Sequence, residues 1–81
     1  MAKLRVLSGE ELLGIFLHFG FQVVSQAGSH VKLRRLCADG TKQTLTVVLH
    51  AELDKGTLRA VYRQALRYIS ESELRPWFYS E

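Results

Sequence analysis

An imidazole directly after a Gly-Ser turn, with two cations alternating behind it, is the arrangement in this chain best suited to chemistry. Gln26-Ala27-Gly28-Ser29-His30 is followed by Lys32 and Arg34, and a second imidazole, His50, stands where the last of three predicted strands should end. Histidine titrates near neutrality, so it serves as a base or an acid at physiological pH. These residue types fit metal-independent cleavage of an RNA phosphodiester. A base takes the 2′-hydroxyl proton, positive charge stabilises the phosphorane-like transition state, and an acid protonates the departing 5′-oxygen. His30 supplies the proton chemistry and Lys32 and Arg34 the charge. Ser29, or the amides of the Gly28-Ser29 turn, supplies further donors to a phosphate oxygen. The same residues also read as the ordinary solvent-facing side of an open sheet, and His50 as a loop anchor.

Positioning these groups requires a sheet, and the sequence predicts one flanked by helices. Ser8 and Glu11 form a capping box, and Leu12, Leu13, Ile15, Phe16, Leu17 and Phe19 recur at helical spacing, which predicts a helix over 9–19. Gly20 is its left-handed stop. Strands are expected over 21–26, 30–36 and 43–49, joined by tight turns at 27–29 and 38–41. A second helix starts near 55–57 and carries Leu58, Val61, Tyr62, Ala65, Leu66 and Ile69 on one side. Ser70 and Glu73 offer a second capping box, with a short helix over 71–75 stopped or kinked by Pro76. The fold class is α+β, an α-β-β-β-α order with a three-stranded antiparallel sheet, helices on one face and a short extra C-terminal helix.

Strand alternation then constrains the histidines. Val31, Leu33, Leu45, Val47 and Leu49 face the core, so the numbers of paired residues must sum to an even value. A hairpin centred at Gly40 pairs Val31 with Leu49 and His30 with His50. A register two residues away keeps the same parity. Both imidazoles are therefore expected on the open face at one end of the sheet, with Lys32 and Arg34 beside them.

Composition bounds the rest. The chain has 81 residues, read as one domain over 1–81 with a core over about 8–69 and an extension over 70–81, and 47% of it is hydrophobic, which excludes a disordered chain. A net charge of +3 allows a polyanionic partner without requiring one. Cys37 is the only cysteine, so no internal disulfide framework exists, as suits a reducing cytoplasm. No apolar run suggests a signal peptide or a membrane span. Two histidines make a poor zinc signal, and neither a metal nor a cofactor is expected. Arg59, Arg63 and Arg67 form a stripe along the second helix, which reads either as a solvated face or as a phosphate track. Trp77-Phe78-Tyr79 reads as a packed tail.

Taken in order, Glu11-Leu12-Leu13, Gly20-Phe21, Gln26-Ala27-Gly28-Ser29-His30, His50 and Lys55-Gly56-Thr57-Leu58-Arg59 resemble the HicA-type (YcfA-like) toxins, the messenger-RNA endonuclease half of HicA–HicB toxin–antitoxin pairs. The likeness spans about residues 8–69. It implies a double-stranded-RNA-binding-like fold and a metal-independent ribonuclease with His30 as its catalytic residue. His50 becomes a possible second histidine, and Ser29, Lys32, Arg34, Arg59 and Arg63 become RNA or phosphate contacts. The implied partners are messenger RNA and a HicB-like antitoxin that masks the site. A non-catalytic RNA- or protein-binding module of the same fold is the alternative. The family often has a proline two residues before the second histidine. Val48 stands there in this chain, so the last strand is free to run a residue or two further. The segment after Ile69 is longer and more aromatic than the family leads one to expect, and a partner surface is one reading of it.

Overall fold

The computed structural model describes residues 2–80 and runs β1 (Lys3–Leu4), α1 (Gly9–His18), β2 (Gln22–Ala27), β3 (His30–Leu36), β4 (Lys42–Val48), α2 (Lys55–Ala65), α3 (Glu71–Phe78), β5 (Tyr79–Ser80). The α-β-β-β-α order with an added C-terminal helix is the expected one. Ser8 opens α1 through a reciprocal capping box. Its Oγ accepts the Glu11 amide at 3.0 Å while its own amide donates to Glu11 Oε1 at 2.9 Å. Asp54 caps α2, accepting the Thr57 amide and, at 2.6 Å, the Thr57 hydroxyl. Those two bonds, the hydroxyl first, hold the Asp54 carboxyl below its ordinary value.

Both later helices depart from expectation. The apolar repeat predicts α2 to Ile69, but the helix ends at Ala65. The amides of Tyr68 and Ile69 both turn back to the Ala65 carbonyl, so Ile69 stays buried on a turn. Helix α3 does not stop at Pro76. It continues to Phe78, because Leu74 and Phe78, four apart, are both fully buried and hold the turn that proline weakens. Nor does Ser70 form a capping box. Its Oγ donates to Glu73 Oε1 at 2.8 Å, and no side chain caps that helix.

β2, β3 and β4 form an antiparallel sheet in that order. Val31, Leu33, Leu45 and Val47 are buried beneath α1 and α2 with Leu12, Phe16, Leu58 and Ala65. His30, Lys32 and Arg34 point to the other face. The even-sum parity holds, but the register is the one two residues from a Gly40-centred hairpin. His30 pairs with Val48 and Val31 with Val47, so His30 and His50 are not cross-strand partners. The turn explains the difference. Gly40 donates its amide to the Cys37 carbonyl and takes φ 87°, the left-handed residue that follows a turn, so the hairpin axis falls one residue earlier. β4 also stops at Val48 rather than running on: the Leu49 amide still reaches the carbonyl of its register partner Ser29, but the His50 amide folds back on the Val48 carbonyl and turns the chain out of the ladder.

β2 is an edge strand exposed along its whole length, and its register shifts between Val23 and Ser25. The bulge at Val24 twists the edge and blunts it against pairing with other chains. Two short strands were not anticipated. β1 and β5 pair antiparallel, Lys3 with Ser80 and Leu4 with Tyr79, so segments 3–5 and 78–80 close on each other. Phe78 carries this closure into the core, 6.3 Å from the Phe16 ring and 4.9 Å from the Tyr62 ring. The tail is packed, as its composition suggests, and Trp77 is the most exposed of its aromatic run, its ring tilted against His18 at 4.7 Å.

Arg35 ties the layers together. It lies on the helix side of β3 opposite Gln43. Its guanidinium donates to the carbonyls of Phe19 and Tyr68, each at 2.9 Å, and to Gln43 Oε1 at 2.8 Å, with the Phe21 ring 4.9 Å away. Phe19 caps α1 and Tyr68 lies in the turn after α2, so one side chain ties the end of α1 to the segment that follows α2.

Candidate active site

The turn before His30 is the tightest a hairpin allows. Ala27 pairs with His30, leaving Gly28-Ser29 as a two-residue loop. Gly28 has φ 58°, while among the described residues no non-glycine has positive φ, the pattern in which glycine takes the first central position. Both carbonyls of the loop are tied. Gln26 Nε2 donates to the Gly28 carbonyl at 3.0 Å, and the Leu49 amide donates to the Ser29 carbonyl at 2.7 Å. The loop that delivers His30 is therefore braced from its own strand and from the end of β4.

His30 itself is exposed, with Ala27 on one side and Val48 on the other. These flanks are small or aliphatic, so the imidazole is open to a large ligand. Along the same face Lys32 lies between Ser25 and Thr46, and Arg34 between Gln22 and Thr44. At ~3.4 Å per residue the amine and guanidinium start about 7 and 14 Å along the strand from His30. None of these paired open-face positions is acidic. Arg34 is half-buried, and its Nε is buried without a hydrogen-bond partner. Ser29 is half-buried in the turn, beside the imidazole.

His50 lies past β4. Its carbonyl accepts the Gly9 amide at 2.9 Å, so the anchor at this position is the backbone. The residue is exposed and lines a cavity of about 410 Å³ with Ser8, Glu10, Leu49 and Ala51. Leu49 is common to this cavity and to the Ser29 tie, which sets His50 at the His30 end of the sheet.

Arg59 and Arg63 stand elsewhere. They are exposed on the side of α2 away from Leu58, Val61 and Tyr62, which pack onto the core face. The sheet separates them from His30, Lys32 and Arg34. Among the described residues no three His, Cys, Asp or Glu side chains gather as a metal-holding group, and no helix is long and apolar enough to cross a membrane.

Three residues that hold the site carry no signal of their own in the sequence. Gln26 belongs to the Gly-Ser-His segment, yet its brace shows only in the folded turn. Arg35 is indistinguishable from Arg34 in composition and separable only by strand parity. Gly9 looks like any helical glycine. A Cβ there would sit 2.1 Å from the Val48 carbonyl oxygen.

A family model described as the HicA toxin of bacterial toxin-antitoxin matches residues 9–66. The match contains α1, the three-stranded sheet and α2, with His30 and His50 inside it. No curated protein and no solved structure matches the chain.

Proposed function

Because the chain belongs to the HicA toxin family, the toxin half of bacterial toxin–antitoxin pairs, we propose that it is a metal-independent endoribonuclease whose reacting group is His30 and whose substrate is messenger RNA in the cytoplasm. The observation that carries this reading is the exposed imidazole on a doubly braced turn, followed on one face by Lys32 and Arg34 with no acidic neighbour. A carboxylate on that face would repel phosphate, and a loose turn would not hold a base in register with it.

The chemistry is as follows. His30 takes the 2′-hydroxyl proton, and the 2′-oxygen attacks the adjacent phosphorus. The bond from phosphorus to the 5′-oxygen breaks, and that oxygen leaves with a proton supplied by an acid. The products are a 2′,3′-cyclic phosphate and a 5′-hydroxyl. Lys32 and Arg34 hold the phosphates and offset the developing charge. Ser29 adds a donor beside the imidazole. Arg59 and Arg63 engage a second stretch of a longer RNA, because no short strand spans both faces of the sheet. A HicB-like antitoxin inhibits by covering the open face. His50 supports the site from its end.

The test is a time course on labelled RNA in the presence of a chelator. The wild type should yield cyclic-phosphate ends, and His30→Ala should yield none while melting as the wild type does. Cleavage by His30→Ala at the wild-type rate refutes the assignment. Salt-sensitive RNA binding without product by the wild type identifies a binding module instead.

A further inference from the structure

We propose that Gly9, on the first turn of α1, is a positioning residue for His30, holding the end of β4 where it fixes the catalytic turn. The inference rests on the reading of His30 as the reacting group and adds the element that sets its place. Gly9 is buried against the exit of β4. An added Cβ would lie 2.1 Å from the Val48 oxygen, 2.6 Å from the Leu49 Cα and 2.9 Å from the Val48 carbonyl carbon. All three are backbone atoms, so no side chain can swing away to make room. The Gly9 amide also donates to the His50 carbonyl at 2.9 Å, closing the contact from the next residue along.

Two paths lead from this contact to the imidazole. Val48, whose oxygen meets Gly9, is the cross-strand partner of His30. Leu49, whose Cα meets Gly9, donates its amide to the Ser29 carbonyl, one residue before His30. The start of α1 is the less yielding side. It is fixed by the Ser8–Glu11 box, by the Leu53 amide on the Leu7 carbonyl, and by the buried Leu12, Ile15 and Phe16. A side chain at Gly9 therefore displaces the β4 exit, and the turn with it. Gly14 on the same helix is the natural control, with nothing within 4 Å of an added Cβ.

The experiment compares Gly9→Ala with Gly14→Ala in the full chain, by steady-state cleavage and by amide NMR. Displacing a reacting group by an ångström or so costs on the order of 100-fold. Gly9→Ala should lower kcat by about 10- to 100-fold with KM within about threefold, because Lys32 and Arg34 lie farther along the strand. Its amide shifts should move at Ser29, His30 and Leu49. Gly14→Ala should change neither kcat nor those shifts. A folded Gly9→Ala with unchanged kcat overturns the proposal, as does one whose Ser29 and His30 amides do not move. Should Gly9→Ala not fold, hydrogen exchange at the wild-type Leu49 amide decides. Protection like that of β3 and β4 supports the tie to the turn, and exchange at the rate of an open loop refutes it. Absence of cleavage by the wild type defeats the reading of His30 instead, and the amide shifts then judge the coupling alone.

Discussion

Arg34 and Arg35 are adjacent and chemically identical, yet their removal should fail in opposite ways. Arg35→Ala deletes three charge-assisted hydrogen bonds, to the carbonyls of Phe19 and Tyr68 and to Gln43 Oε1. Bonds to charged groups contribute roughly 1.5–3 kcal/mol each. The site is only half-buried, so water reclaims part of that, and about 1 kcal/mol per bond remains. The guanidinium over Phe21 adds about 0.5 kcal/mol. The loss should total about 3.5 kcal/mol, a large share of the roughly 4–12 kcal/mol expected for a chain of this length. At about 4–8 °C per kcal/mol, the melting temperature should fall by about 14–28 °C. Arg35→Lys restores charge but not the planar fork, and should recover at most one of the bonds. Arg34→Ala should melt within about 1 kcal/mol of the wild type and should lose RNA affinity. Thermal denaturation followed by circular dichroism checks all three. An Arg35→Ala protein that melts within about 4 °C of the wild type refutes the claim that one guanidinium ties the end of α1 to the segment after α2.

Further outcomes follow from the same geometry. His50→Ala should leave the melting temperature unchanged, because the Gly9 amide binds the backbone carbonyl; a clear fall would show that the imidazole does the holding. Lys32→Ala and Arg34→Ala should each reduce the salt dependence of single-stranded RNA binding by about 0.7 in log–log slope, whereas Arg59→Ala and Arg63→Ala should do so only with longer RNA; an equal effect of all four on a short oligonucleotide would contradict the separation by the sheet. Asp54 has a lowered folded-state pKa, so its stabilisation is present above the unfolded value of about 3.8 and is lost as pH falls through the folded one. Acid titration of unfolding should therefore be shallower for Asp54→Asn, which keeps the cap and removes the titration, and identical curves would dismiss the effect. Gly14→Ala should stabilise by about 0.5–1 kcal/mol, measured in urea, since the added methyl meets nothing.

The elements that place His30 were legible because each rests on local rules. The Ser8–Glu11 box, the Gly28-Ser29 turn and the alternation of β3 and β4 all depend on residues close in sequence. Parity put His30, Lys32 and Arg34 on the open face without any knowledge of tertiary structure. Of the two registers that parity allows, the observed one lies two residues from the Gly40-centred one, because Gly40 reads as a hairpin centre when it is the left-handed residue after one. That distinction lies in backbone angles rather than in composition. The far end of α2 was overextended for a related reason, since Leu66 and Ile69 keep the apolar spacing whether or not the backbone stays helical. The β1–β5 pairing, the three acceptors of Arg35 and the contact of Gly9 with Val48 join residues distant in sequence. No spacing rule reaches them. The family likeness supplied the direction of the functional reading, and the site geometry supplied what distinguishes its parts: Lys32 and Arg34 beside His30, Arg59 and Arg63 behind the sheet.

The β1–β5 closure bears on how the protein comes into being. Leu7 belongs to a core that also contains Phe78, and the Arg5 amide waits for the Phe78 carbonyl. On a ribosome adding about 5–20 residues per second, those partners are born several seconds apart. From its own synthesis until Phe78 is added, the Phe16 ring lacks the phenyl group that packs against it in the folded chain. The native arrangement thus completes only after residues 78–80 have emerged, and until then the core is unsealed. Holdase chaperones meet such surfaces, and so would any antitoxin produced alongside it.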